Sequence, residues 1–397
     1  MTAIPSAHMS SPSAVVLAAG EGIRLRPLTR YRPKPMLPAG NRPILESVLD
    51  ELIACDITEV TLVVGYRRNR IQSHFGSSYR DLELSYTIQE KQLGNGHALL
   101  EVDLPADEPS LVVYGDQIVD CAVIRDAIDA HDDELATLGV LPDRDVTHHG
   151  GVIVENDHVV ELVERPRDDR DYYLNAGVYV FDPAIRDVIR EAPVVEGERS
   201  LIDAISVAIA AGEDVRASVA DGFWTDATYP WDLREIAAEL LATERLEPTI
   251  HASTAVHDTA VIRNPVAIGP DGEIGPGAVI GPNVTLGQNV TVEANAVVAG
   301  SVIDADNRIG ANATVVDAVT GVGTTIGPGS IIPGGPGDVR IDEQVYADAP
   351  LGALLADRVT DRGGVRYEPG TIVGPDATLG VGAVARGRIA EGTQVGR

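Results

Sequence analysis

Two glycines, spaced Gly20-x-Gly22, follow an apolar run; Arg24 stands two positions later and Lys34 ten after that. Glycines behind a buried strand let the backbone approach a phosphate chain, and free N–H groups there cradle an anion. Leu25 stands where a dinucleotide fingerprint needs its third glycine. No Gly-Lys-Ser/Thr follows, so the segment is not a P-loop either. Two aspartates sit at the ends of apolar stretches: Asp116 in Val112-Val113-Tyr114-Gly115-Asp116 and Asp226 in Phe223-Trp224-Thr225-Asp226. Two carboxylates plus phosphate oxygens suit a hard, octahedral ion such as Mg²⁺. No cysteine, serine or histidine constellation offers a covalent nucleophile. The chemistry these residues could do is positioning and charge neutralisation between anionic reactants.

The elements that must hold these residues alternate in type. Residues 14–18 are a continuous apolar run before Gly20, which predicts a buried parallel strand. Residues 43–54 carry Ile44, Leu45, Val48, Leu49 and Leu52 at helical spacing. Further strands are expected at 60–64, 82–88, 111–114, 135–140, 151–154, 159–163 and 178–181. Strands interleaved with helices predict an α/β fold: an open, Rossmann-like, mostly parallel sheet with helices on both faces. Ligands bind such sheets beyond the carboxyl ends of the strands, where these motifs fall.

Beyond residue 250 the pattern changes. Ile268-Gly269, Ile274-Gly275, Ile280-Gly281 and Leu286-Gly287 recur every six residues. The phase continues through Val292 and Val298, shifts by one, and resumes at Ile303 and Ile309-Gly310, with later turns at Ile326, Val373 and Leu379. This is the hexapeptide signature of a parallel β-helix, aliphatic side chains filling the coil and glycine or proline serving the corners. Residues 334–364 break the period and are expected to loop out or cap. The expected organisation is a tail at 1–12, a catalytic domain at 13–247 and the repeat domain at 248–397.

Bulk composition narrows the function classes. The 397 residues carry 31 Lys plus Arg against 60 Asp plus Glu, a formal charge of −29. That excludes general nucleic-acid binding, which needs a basic footprint. Lys34 and Lys91 are the only lysines, so Lys34 stands where an ammonium rather than a guanidinium is wanted. So acidic a surface self-repels without dense counterions and is expected of a halophilic protein in a salt-rich cytoplasm. Cys55 and Cys121 are too few for a disulfide framework and fit no metal-ligand spacing, which predicts a reducing, cytoplasmic setting. No segment reads as a signal peptide or membrane span.

The motifs together resemble the sugar-1-phosphate nucleotidyltransferases. Residues 17–25, Leu-Ala-Ala-Gly-Glu-Gly-Ile-Arg-Leu, followed by Pro33-Lys34, are similar to that family's signature, with Ile23 in place of its Thr or Ser. The resemblance implies that Leu17, Ala19, Gly20 and Gly22 hold the nucleotide, that Arg24 contacts the triphosphate, and that Lys34 bridges phosphates of both substrates. Residues 89–98 resemble the stretch in which Gln89 and the backbone of Gly94 read a pyrimidine edge, with Asn95 replacing a threonine. Asp116 and Asp226 are the implied Mg²⁺ ligands, with Thr228 replacing a glycine. Gly151, Glu164, Arg165 and Asn175 match sugar-phosphate contacts, Arg165 standing for a lysine.

The implied substrates are an NTP, with UTP favoured and dTTP an alternative, and glucose-1-phosphate or N-acetylglucosamine-1-phosphate. The implied repeat domain is a left-handed β-helix that assembles the chain as a trimer or a multiple of it. Two alternatives stand beside this reading. One is a second, amino-sugar-phosphate acetyltransferase activity in the β-helix, against which no histidine follows His257 and no lysine follows Lys91. The other is a non-catalytic sensing or scaffold homologue.

Overall fold

The computed structural model describes residues 13–142, 145–341 and 344–396; the expected tail at 1–12 lies outside them. Packing divides the chain into two compact units. One comprises Met1–Glu21, Pro33–Pro35 and Ile44–Thr225; the other comprises Gly22–Arg32, Met36–Pro43 and Asp226–Arg397.

In the first unit the opening apolar run forms β1 (Ser13–Ala18), and the amphipathic stretch forms α1 (Ile44–Ala54), burying the five aliphatics named above. There follow β2 (Glu59–Val64), α2 (Arg68–Phe75), β3 (Leu82–Ile88), α3 (Asn95–Leu100), β4 (Ser110–Tyr114) and α4 (Cys121–Ala130). Next come β5 (Ala136–Leu141), β6 (Gly150–Glu155), β7 (His158–Glu164), β8 (Tyr173–Phe181), α5 (Ile185–Glu191), α6 (Leu201–Ala211) and β9 (Val215–Val219). Among the described residues the sheet has ten strands, ordered β6-β7-β9-β5-β8-β4-β1-β2-β3 with a short edge strand at Ser78–Tyr79.

The stretch β4-β1-β2-β3 is parallel, and β9 is parallel to β5. Beyond β4 the sheet turns mixed, because β8 runs antiparallel to both β4 and β5. The hairpin β6–β7 has a two-residue turn, Asn156-Asp157, with φ of 51° and 67°. So short a connection can only join antiparallel strands, and left-handed residues suit its twist. Cys55, just past α1, and Cys121, opening α4, form a disulfide with Cα atoms 5.7 Å apart. The expectation of a reducing setting does not foresee that pairing.

In the second unit the repeats form three parallel sheets of eight, seven and seven strands among the described residues. One coil is 18 residues, Val266 lying beside Val284; the next is 17, Thr285 lying beside Val302, which is the phase shift seen in the sequence. The aliphatics fill one buried core. The corners use more than glycine and proline. Asp271, Asn283, Asn289, Asn295, Asp306, Asn312 and Asp376 all have φ between 55° and 60°, as short polar side chains tolerate the left-handed region.

The irregular stretch is a hairpin, Gly337–Ile341 with Gln344–Ala349, looped out of the coil; strand pairing resumes with Ala318 beside Ala353. Helix α7 (Asp232–Ala242) covers the sheet that contains Val284–Leu286, Val302–Ile303 and Ala318–Thr320. Arg234 fixes it there, donating to the Gly300 carbonyl at 2.6 Å and pairing with Asp317.

At the start of α7, Asp232 Oδ2 accepts from the backbone N–H groups of Thr228 (2.8 Å) and Tyr229 (2.7 Å). Loss of surrounding water nevertheless pushes its carboxyl up to about 7, with the charges of Glu235 and Asp226 adding to the effect. A folded value above the unfolded 3.8 means that ionisation opposes folding. The penalty is absent near pH 4, grows as pH rises, and is complete above 7. Asp232→Asn keeps one oxygen for both N–H donors and removes the charge. The half-buried site reduces the full linkage value, so the variant is expected to gain about 1–2 kcal/mol at pH 8 and nothing at pH 4. Urea unfolding at the two pH values checks this; an equal gain at both would refute the charge as its cause.

Candidate active site

Strand register builds the site in the first unit. Leu17 pairs with Tyr114, and Ala18, Val64 and Ile88 form one row across β1, β2 and β3. The residues that follow these strands, Ala19-Gly20, Gln89 and Gly115-Asp116, therefore lie along one sheet edge. Strand β8 runs the opposite way, so Asn175, near its start, reaches the same edge. Gly151 pairs with both Leu174 and Val163, and Gly150 pairs with Glu164. The sugar-side positions thus fall on adjoining strands.

Around the glycine loop the backbone is tied down on one side. The Ala19 carbonyl accepts from the Tyr66 N–H and from Gln92 Nε2, both at 3.2 Å, and the Leu17 carbonyl accepts from the Gly115 N–H at 2.9 Å. Among the described residues no heavy atom lies within 4 Å of where a Cβ on Gly20 would stand. A phosphate chain can approach the backbone there. Lys34 is only 9% exposed, and its Nζ lies 3.0 Å from Asp116 Oδ2. The surviving lysine and the first candidate metal ligand are therefore in direct contact.

Gln89 is buried. Its Nε2 donates to the Gly94 carbonyl at 2.9 Å and lies 3.2 Å from His97 Nδ1. A side-chain amide can offer a base both a donor and an acceptor; here the donors are committed within the protein, leaving Oε1 as an acceptor. Gly94 has φ of 92°, and a Cβ there would stand 2.3 Å from the Arg199 carbonyl oxygen, so no larger residue fits.

Asn95 is a structural bridge: its Nδ2 donates to Tyr114 Oη at 2.7 Å and its Oδ1 accepts from the Leu201 N–H at 2.8 Å. Asn175 Nδ2 donates to Tyr179 Oη at 2.8 Å, and Tyr179 Oη lies 3.3 Å from Tyr114 Oη. Burial raises the Tyr114 hydroxyl well above the usual phenol range, with Tyr179, Glu164 and Asp116 adding to it. Tyr114 is thus a neutral hydroxyl between candidate metal and sugar positions. Sequence reasoning passed over it as an ordinary strand residue; a polar tip on the last residue before Gly-Asp was the available signal. Glu164 and Arg165 are half exposed and pair with each other at 3.6 Å. A Cβ on Gly151 would stand 2.7 Å from the Tyr172 ring.

Gly22, Arg24 and Asp226 belong to the second unit. Gly22 is left-handed (φ 73°), opening the short 3₁₀ turn Ile23–Leu25 that carries a half-buried Arg24. Thr29 Oγ1 closes the turn by donating to the Gly22 carbonyl at 3.1 Å. The Ile23 side chain is 54% exposed, so a hydroxyl at this position would face solvent. Thr228, which replaces a glycine, donates from Oγ1 to Asp226 Oδ2 at 3.3 Å and so orients that carboxylate.

Among the described residues no group of three or more His, Cys, Asp or Glu forms a cage for a metal ion. Asp116, a carboxylate at the sheet edge, fits the alternative, an ion held by one or two carboxylates plus substrate phosphates; Asp226 lies in the second unit. No described helix is long and apolar enough to cross a membrane.

Known proteins give this geometry a context. Residues 13–243 match the nucleotidyl transferase family and residues 262–389 match the GMPPB C-terminal domain. The chain is 34% identical over 242 residues to the UTP–glucose-1-phosphate uridylyltransferase AglF of Haloferax volcanii, a match covering 59% of this chain and 99% of that protein. It is 31% identical over 230 residues to the bifunctional protein GlmU of Methanocaldococcus jannaschii, covering 57% of this chain and 54% of the other, so it spans about half the length of that relative. Among solved structures, a glucose-1-phosphate thymidylyltransferase from Bacillus anthracis matches with a TM-score of 0.52 and 25% identity, over 57% of this chain and 94% of the other.

Proposed function

The chain belongs to the nucleotidyl transferase family, and from that premise we propose that it joins the nucleoside monophosphate of an NTP to a sugar 1-phosphate, releasing pyrophosphate. Residues 13–247 would be the catalytic domain. The observation that carries this reading is the single sheet edge on which Ala19-Gly20, Gln89 and the Lys34–Asp116 pair assemble.

The reaction is an in-line displacement at the α-phosphorus, with a sugar phosphate oxygen attacking and pyrophosphate leaving. Leu17, Ala19, Gly20 and Gly22 hold the nucleotide, Gln89 and Gly94 take the base, and Arg24 binds the triphosphate. The buried Lys34 ammonium draws the two anionic reactants together in a very acidic protein. Gly151, Glu164, Arg165 and Asn175 orient the sugar phosphate. Asp116 and Asp226 would hold Mg²⁺, which when bound neutralises phosphate charge. UTP with glucose-1-phosphate or its N-acetylamino counterpart is the favoured pair, made in a salt-rich cytoplasm.

The β-helix (248–397), left-handed on this reading, would assemble trimers. One of its sheets supports this, presenting Val261, Val279, Val297, Ile331 and Val384 outward in one ladder that also holds Thr314 and Arg366, with Val261 46% and Val384 56% exposed.

The test is pyrophosphate release by the purified chain in molar KCl with Mg²⁺, screened over UTP and dTTP against both sugar phosphates. Turnover fastest with UTP is expected. Intact, folded protein giving no pyrophosphate with any pair, at low or high KCl, would overturn the proposal.

A further inference from the structure

We propose that the β-helix strapping Arg30-Tyr31-Arg32 to its corners positions the triphosphate-binding turn at Gly22–Arg24, with Arg32 as the principal positioning residue. The inference rests on the reading of Arg24 given above.

The corners of successive coils stack in a column. The Gly323 N–H donates to the Ala305 carbonyl, Arg358 to Val322, Asp376 to Asp357 and Gly392 to Pro375, all at 2.9–3.0 Å. Acidic side chains project along that column, and three consecutive residues of the second unit's N-terminal segment follow it. Arg32 Nη1 lies 2.6 Å from Asp304 Oδ2, and its Nη2 lies 3.4 Å from Asp357 Oδ1. Tyr31 Oη donates to Glu391 Oε1 at 2.6 Å and lies 3.2 Å from Asp376 Oδ2. Arg30 Nε lies 2.9 Å from Glu391 Oε2. The Arg358 guanidinium stacks over the Tyr31 ring, 4.6 Å from its centroid, while pairing with Asp376 at 2.7 and 2.9 Å.

This is more than a surface ion pair. Arg32 and Asp357 are buried, and the planar fork of a guanidinium bridges two carboxylates from separate, pre-organised nitrogens, a geometry that an ammonium's single nitrogen does not reproduce. Asp304 and Asp357 are separately fixed, the first through the Ala305 N–H at 2.7 Å and the second through the Val322 N–H at 3.0 Å. Each of the two carboxylates therefore has a backbone partner besides Arg32. Upstream the segment is short: Leu25, Leu28 and Thr29 are buried, and Thr29 bonds to Gly22. The anchor at Arg32 thus sets where the Gly22–Arg24 turn sits. Lys34 follows two residues later in the chain.

Two variants test this, Arg32→Lys and the milder pair Tyr31→Phe with Arg30→Ala, both in the full-length chain. Misplacing the turn is expected to raise KM for the NTP about ten-fold in Arg32→Lys, leaving KM for the sugar phosphate unchanged and the protein folded by circular dichroism. The milder pair should show a smaller shift in the same parameter. Hydrogen exchange of residues 22–32 supplies a readout independent of turnover: protected in the wild type and faster in both variants. Unchanged exchange across 22–32, or folded variants with an unchanged KM for the NTP, would overturn the proposal. If the wild type proves inactive, the assigned activity fails, whereas the exchange pattern still decides the strap.

Discussion

Replacing Lys34 with alanine is expected to lower kcat by on the order of 100-fold or more at saturating substrates, because the proposed reaction uses its buried ammonium to offset the charge of the reacting phosphates. The loss should appear mainly in kcat, since the charge matters most as negative charge builds up in the transition state. Lys34→Arg should fare little better. The site leaves 9% of the residue exposed, and a planar guanidinium neither fits the space nor acts as a point charge. Stability should hardly change. Asp116, the partner at 3.0 Å, is about a third exposed and can turn to water when the lysine is gone. Near-normal pyrophosphate release by folded Lys34→Ala would remove this mechanism altogether.

The same residue shows why much of the molecule was legible in its sequence. A chain with only two lysines marks the places where arginine will not serve, and one of them lies against Asp116. The parallel strands β1, β2 and β4 were legible because burial on both faces writes a largely apolar run. The β-helix was legible because one interior aliphatic per face repeats every six residues. Where the repeat faded there is a physical cause. Asp361 occupies the interior row beside Leu379, buried and accepting from the Gly363 N–H (2.7 Å) and Tyr367 Oη (3.0 Å), so no aliphatic marks that coil.

What stayed hidden depends on contacts that the motifs do not encode. Asn95 and Thr228, read as departures from a motif, are bonded to Tyr114 and Asp226 respectively. Neither partner lies at a spacing that a motif could encode for Asn95, and for Thr228 only the local turn reveals it. The antiparallel half of the sheet was equally hidden, since strand direction at β8 is set by its neighbours rather than by its own residues. The grouping of Gly22–Arg32 with the β-helix depends on Asp304, Asp357, Asp376 and Glu391, more than 270 residues away.

Substituting both candidate metal ligands, Asp116→Ala with Asp226→Ala, is expected to reduce turnover by on the order of 100-fold or more. The informative comparison is between this double variant and the single ones. Two carboxylates that serve one ion act as a unit, so either substitution alone should cost nearly as much as both together. Two residues with unrelated duties would instead show losses that multiply. Thr228→Gly provides the control. It removes only the 3.3 Å hydrogen bond that orients Asp226, and a change of less than about five-fold is expected. Metal binding can be read without catalysis by titrating Mn²⁺ into protein with UTP and following the free-ion EPR signal. Wild type should take up Mn²⁺ and each aspartate variant should bind it weakly. Lys34→Ala, which leaves Asp116 Oδ2 without its cationic neighbour at 3.0 Å, should bind Mn²⁺ at least as tightly as wild type while turning over poorly. Multiplicative losses together with unaltered Mn²⁺ uptake in the aspartate variants would show that Asp116 and Asp226 do not share an ion.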